Sequence, residues 1–247
     1  CNALRQEMFK RSDGLYFLPE LIANKDAIQS IKHMVLSDLN TYYLCEVSKL
    51  YEIACAESSV GCIRNTDDYA DFLEFLLPDS IRITGAFASR IVRPVGVTTN
   101  EVMMKLAEKI FATITENGCM TEDDLLLAYP IVSANFLKKL LEKSTDKVIT
   151  TIINDLLCYQ TIEALGFDES FSELLNSILE KIEALELPPT IDILHALLSV
   201  EANQNFRNAY GIPDDKAFRR IITMYYHGQK PRDWKAGCFM EVKKGDV

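Results

Sequence analysis

Apolar residues recur at three- and four-residue steps along most of this chain, and the runs begin at residues able to cap a helix. Asn24 or Asp26 precedes Ile28, Ile31, Val35 and Leu39. Asn65-Thr66-Asp67-Asp68 precedes Tyr69, Phe72, Leu73, Leu76 and Leu77. Thr99 precedes Met103, Leu106, Ile110 and Ile114, and Asn117-Gly118 supplies a left-handed stop. Only 10 of 247 residues are glycine, against a usual share of about 7 %. Gly-rich phosphate loops and many-turned β folds need more. The chain therefore reads as mainly helical.

The remaining elements follow from the same signals. Residues 3–11 read as the end of a helix. Leu15–Leu18 reads as a short strand stopped by Pro19. Helices are expected at 26–39, 41–57 and 66–77, the second capped by Thr41. Ser80–Thr84 and Phe87–Val92 read as a hairpin around Gly85-Ala86. Pro94–Thr99 is a linker. Further helices are expected at 100–116, from Thr121–Asp124 to just before Pro130, from Ser133 to about 143, and at 146–165, 170–186 and 191–203. Residues 205–212 read as a polar loop. Pro213-Asp214-Asp215 opens a last helix to about Tyr226. A final short hairpin is expected at 234–242.

Three helices followed by a hairpin within residues 26–93 resemble the winged-helix form of the helix-turn-helix. Residues 170–242 repeat that order with a weaker strand pair. The middle stretch supplies four helices and no wing. The resemblance implies a mainly α fold with short β-hairpins, built from tandem winged-helix-like units. Its expected divisions are 1–24, the end of a preceding unit or an extension; 25–98, a first winged-helix-like unit; 99–168, a central helical unit; and 169–247, a C-terminal winged-helix-like unit. It also implies DNA-binding through the third helix of a unit or through its wing.

Charge decides which of these surfaces suits a polyanion. The chain has 26 basic and 36 acidic residues, a net charge of −10. Residues 1–100 carry −3, residues 101–174 carry −7, and residues 175–247 are neutral. Phosphates demand basic neighbours. The third helix of the first unit carries Asp67, Asp68, Asp71 and Glu74 and no basic residue, so it reads as an acidic solvated face. Its wing carries Arg82, Arg90 and Arg93. Lys138, Lys139, Lys143 and Lys147 are interleaved with Glu142 and Asp146. The C-terminal stretch gathers Lys216, Arg219, Arg220, Lys230, Arg232 and Lys235 around Tyr225, Tyr226, His227 and Trp234. Basic and aromatic groups together bind phosphates and stack on bases. Alternatively Phe218, Ile221, Ile222 and Tyr225 form a buried face and the arginines are ordinary surface residues.

No enzyme signature emerges. His33, His195 and His227 lie far apart, without a partner at metal-ligand spacing. Asp67-Asp68 and Asp123-Asp124 suit helix N-termini. No catalytic residue, metal or cofactor is expected. The seven cysteines (1, 45, 55, 62, 119, 158 and 238) are odd in number and scattered, a pattern of reduced thiols in a cytoplasmic protein. No run reaches the roughly 18 apolar residues of a membrane span. The first residues lack an initiator Met, which suggests a piece of a longer chain. The expected function is therefore a non-catalytic, regulatory module of a larger intracellular protein. It would bind DNA or RNA through the C-terminal basic-aromatic surface. The alternative is a protein-interaction or scaffold module using acidic helical faces, its partner a separate protein or the remainder of the chain.

Overall fold

Asn24 starts the first long helix: its Oδ1 accepts a hydrogen bond from the Ala27 N–H at 2.8 Å. The computed structural model describes residues 7–57, 60–85, 90–144, 148–161, 163–166 and 201–214, with short stretches at 169, 172–174, 176–177, 180, 217–218 and 221. The chain divides into two compact units. One holds Cys1–Ile110 and Asp123–Ser144; the other holds Phe111–Glu122 and Thr145–Val247.

In the first unit, β1 (Phe9–Lys10) and β2 (Tyr16–Phe17) pair antiparallel, Phe9 opposite Phe17. Helix α1 (Pro19–Ile22) follows. Helix α2 (Lys25–Tyr42) buries Ile28, Ile31, Val35 and Leu39 and stops where Tyr43 turns left-handed at φ +71°. Strand β3 (Cys45–Glu46) leads into α3 (Val47–Ala56). Asn65 caps α4 (Thr66–Leu76), accepting from the N–H groups of Asp67 and Asp68. Strands β4 (Ile81–Thr84) and β5 (Ile91–Pro94) then close a three-stranded antiparallel sheet in the order β3-β5-β4. Helix α5 (Thr99–Asn117) crosses from this unit into the next. Helices α6 (Glu122–Ala128) and α7 (Ala134–Ser144) come later. The core gathers Val35, Leu44, Leu50, Tyr69, Phe72, Leu73, Ile81, Val92 and Leu106. Each such side chain contributes about 1.5–3 kcal/mol of burial.

Glu46 is the joint that fixes α7 in this unit. It is only 2 % exposed. Its N–H donates to the Ile131 carbonyl at 2.9 Å, and its carboxylate accepts from the Ser133 N–H. Ser133 in turn caps α7 by accepting from the Phe136 N–H. Burial pushes the Glu46 carboxyl above the ordinary 4.5, and the Ser133 bonds offset only part of that. Protonation therefore favours the folded state. This group's contribution is fully present below the unfolded pKa and is lost as pH rises through the folded value. Glu46→Gln, which keeps an acceptor, is expected to remove that dependence. In melts from pH 4 to pH 7 its stability relative to the parent should rise with pH. Glu46→Leu leaves the Ser133 N–H unpaired and is expected to destabilise by about 1–3 kcal/mol.

The second unit is built on a sheet of order β6-β8-β7, with β6 (Cys119–Thr121), β7 (Val148–Ile153) and β8 (Leu156–Thr161) all antiparallel. Asn154 and Asp155, both at positive φ, make the two-residue turn between β7 and β8. Inside the sheet Gln160 Nε2 donates to Thr151 Oγ1 at 2.7 Å. Strand β7 is an edge. There the Ile152 N–H donates to the Gly211 carbonyl at 2.6 Å. Gly211 follows α8 (Glu201–Ala209) as its left-handed stop, at φ +64°. The N–H groups of Gly211 and Ile212 donate to the carbonyls of Asn208 and Arg207.

Several expectations are corrected. The mainly α fold of winged-helix-like units gives way to an α/β mix, with three small antiparallel sheets among the described residues. The expected helix at 146–165 is largely the β7–β8 hairpin. Val148-Ile149-Thr150-Thr151-Ile152-Ile153 is an unbroken β-branched run, stiff at χ1 and suited to a pleated surface. Residues 9–10 are strand where a helix end was expected. Thr41 does not cap a helix; it lies inside α2, donating to the Ser37 carbonyl. Residues 205–209, expected as loop, lie in α8. Most of the expected helices at 170–186 and 191–203, and the hairpin at 234–242, lie outside the described residues.

Candidate functional site

The β4–β5 hairpin carries Arg82, Arg90 and Arg93, and each guanidinium meets acceptors of this chain. Arg82 Nη1 donates to the carbonyls of Pro78 (2.6 Å) and Ile81 (2.7 Å). Arg90 Nη1 lies 3.4 Å from Asp67 Oδ1. Arg93 Nη1 donates to the Val97 carbonyl and, at 3.4 Å, to that of Pro94. Lys138 and Lys139 are exposed on α7. The other candidates, Lys216, Arg219, Arg220, Lys230, Arg232, Trp234 and Lys235, lie outside the described residues. Just before Lys216, Asp214 Oδ1 accepts from the Ala217 N–H at 2.8 Å. Ala217, Phe218 and Ile221 are buried.

Helix α4 keeps Asp71 exposed as its sequence suggests, but Glu74 and Asp68 are engaged within the chain. Glu74 Oε1 accepts from the Ile83 N–H at 2.8 Å. Asp68 is fully buried. Its Oδ1 accepts from Ser12 Oγ at 2.6 Å, and its Oδ2 accepts from Arg64 Nε at 3.0 Å. Arg64 Nη2 donates to Ser12 Oγ at 3.0 Å, and Arg64 Nη1 lies 3.2 Å from Asp13 Oδ2. Arg11 completes the group: its Nη2 donates to Asp13 Oδ2 at 2.6 Å and its Nη1 to the Cys62 carbonyl at 2.7 Å. Burial would raise the Asp68 carboxyl, but the bonds from Arg64 and Ser12 outweigh it and hold the group below its ordinary value. The Arg11 hydrogen bond brings Asp13 down to about 2. This network ties the β1–β2 hairpin to the start of α4. The Arg64–Asp68 and Arg11–Asp13 pairs are local in sequence, but the bonds that join them across Ser12 span more than fifty residues, so no local spacing announces the whole.

A second feature is the tip of the β7–β8 hairpin. Ile152 pairs with Leu157, and Ile153 with Leu156. Successive side chains on a strand point to opposite faces, so both faces of the tip are apolar. The four residues are 44 %, 40 %, 57 % and 40 % exposed, for 152, 153, 156 and 157 in turn. Asp155 stands at the apex.

A recess of about 640 Å³ lies among α1, α2 and α3, with Ile22, Ile31 and Met34 on its apolar side and Asp26, Ser30 and Glu57 on its polar side. Carboxylates and a hydroxyl suit hydrogen bonding. Among the described residues no group of three or more His, Cys, Asp or Glu could hold a metal ion, and no helix is long and apolar enough to cross a membrane. Cys45, Cys55, Cys62, Cys119 and Cys158 are free thiols, and burial pushes the Cys45 thiol up. No known family's model matches the chain, and no curated protein matches it as a relative.

Proposed function

We infer that this chain is a non-catalytic protein-interaction module of a cytoplasmic assembly, and that it seats the β7–β8 tip in an apolar cleft of a protein partner. The observation that carries this reading is the exposure of Ile152, Ile153, Leu156 and Leu157 on both faces of one hairpin. Apolar side chains clustered in this way mark binding surfaces. Asp155 at the apex suits a basic side chain on the cleft rim and repels phosphates. The arginines of the β4–β5 hairpin, already held by this chain's own acceptors, add little pull on a polyanion. Free thiols fit the cytoplasmic part of the reading. The test is retention on immobilised chain, compared with the Ile153→Lys, Leu156→Lys double variant. A protein held by the parent and released by a folded double variant supports the reading. Equal retention by both overturns it.

The second reading is binding of DNA or RNA through Lys216, Arg219, Arg220, Lys230, Arg232, Trp234 and Lys235. It is favoured by the charge balance of the last 73 residues, which are neutral in an otherwise acidic chain. Mobility shift at low salt with duplex and single-stranded probes tests it. A shift abolished by Arg219→Glu with Arg220→Glu supports it, and no shift at tens of micromolar removes it.

A further inference from the structure

The turn joining β1 to β2 places a serine at the centre of an ionic network. The Arg11 N–H donates to the Leu15 carbonyl and the Gly14 N–H to the Arg11 carbonyl, both at 2.9 Å. Gly14 sits at φ +85°, so Ser12 and Asp13 occupy the exposed middle of a tight turn. Against the Ser12 hydroxyl stand Arg64 and Asp68, and Arg64 is linked through Asp13 to Arg11, so two cations balance two anions. The hydroxyl is the neutral member of this set. It gives its proton to Asp68 and accepts from Arg64. Behind the turn, Phe9 is buried with its ring edge-on to Phe72 and Phe75, at 5.4 and 6.0 Å. The hairpin is thus held on α4 by one ring and one set of charges.

We propose that Ser12 is a phosphorylation site, modified by a serine/threonine kinase that selects basic residues before its target, and that the phosphate releases the β1–β2 hairpin from α4. Lys10 and Arg11 immediately precede the serine, the charge pattern such a kinase reads. In the docked hairpin Arg11 and Ser12 are both engaged, so the kinase takes the undocked form and the product cannot return. In the transfer step Ser12 Oγ attacks the γ-phosphorus of ATP. The Oγ–P bond forms as the bond from that phosphorus to the β,γ-bridging oxygen breaks. ADP leaves, and the serine proton passes to the kinase's base. The phosphate brings about −1.5 to −2 charges into a set of two cations and two anions. Ser12 no longer has a proton to give Asp68, and Arg64 is drawn to the phosphate. The fully buried Asp68 carboxylate then faces a dianion with its two side-chain donors gone and the Arg64 backbone N–H, at 3.4 Å, left to it. Release of the hairpin relieves both.

The test uses the whole chain, the catalytic domain of a basic-directed serine/threonine kinase and MgATP, read by intact mass, site mapping and hydrogen exchange. One phosphate is expected, on Ser12. Exchange protection across Phe9–Lys10 and Tyr16–Phe17 should fall at least tenfold, while α2 keeps its protection. Asp68→Asn loosens the docked state and should speed phosphorylation several-fold. Arg64→Gln, at a half-exposed side chain, serves the same purpose if Asp68→Asn does not fold. Ser12→Ala should take up no phosphate at this site. The proposal is overturned if Ser12 stays unmodified in the parent and in the loosened variants, or if it is modified and the hairpin keeps its protection.

Discussion

Gly211→Ala is expected to destabilise the second unit by about 2–4 kcal/mol, with the loss beginning at the β7 edge. Two independent demands fall on this position. It is the left-handed residue that ends α8, at φ +64°, where a side chain costs about 1–2 kcal/mol. A Cβ built there would also collide with the backbone carbonyl of Ile152. Backbone cannot give way as a flexible side chain can. The two segments must separate, and the hydrogen bond from the Ile152 N–H to the Gly211 carbonyl goes with them, at about 1 kcal/mol. Urea unfolding should show a lower midpoint with an unchanged slope. Hydrogen exchange should place the first loss of protection at Ile152. A midpoint shift worth under about 0.5 kcal/mol, the ordinary scatter of surface substitutions, would show that this contact does not hold the unit together.

Phe72→Ala is expected to have the largest effect in the first unit, about 3–5 kcal/mol. Phe72 is fully buried on α4. Its loss opens a cavity in a core where Leu50, Tyr69 and Leu73 are equally buried. It also removes the ring against which Phe9 stands at an interplanar angle of 70°, a pairing worth about 0.5–1.5 kcal/mol beyond area. Hydrogen exchange should therefore report two losses, early release of the β1–β2 hairpin and a lower global barrier for α2 and α4. Phe9→Ala makes a useful contrast. Its effect is capped at the energy with which the hairpin is docked, so α2 should keep its protection. If the two variants lower the global stability equally, the hairpin is an integral part of the core.

What could be read from the sequence was local. The caps at Asn24, Asn65 and Ser133 and the stop at Asn117-Gly118 act within one turn of chain. The apolar face of α4 follows a single period. The strands β3 and β6 span two and three residues, and they exist only because they pair with β5 and β8 far along the chain. No propensity marks them. Glu46 reads as an ordinary acid within the expected helix 41–57; its acceptor role depends on Ser133, 87 residues away. Asp68 reads as one of four surface carboxylates; Arg64 is a local neighbour four residues before it, and Ser12 reaches it from 56 residues away. The β7 run carries both signals: isoleucines flanking a threonine pair satisfy a helical count as well as a strand, and the β-branching tips the balance to the strand. Arg82 and Arg93 stand in strands β4 and β5. Their carbonyl partners at Pro78 and Val97 carry no side-chain signal at all.

The dependence of β7 on Gly211 also sets a clock on biosynthesis. The strand is an uncharged, β-branched edge, the kind of segment that templates pairing with other chains while uncovered. Its cover is encoded about sixty residues later. At translation speeds of about 5–20 residues per second, that edge leaves the ribosome ~3–12 s ahead of the glycine that covers it. Synonymous changes that slow decoding between codons 153 and 211 are therefore expected to lower the soluble yield of an unaltered protein.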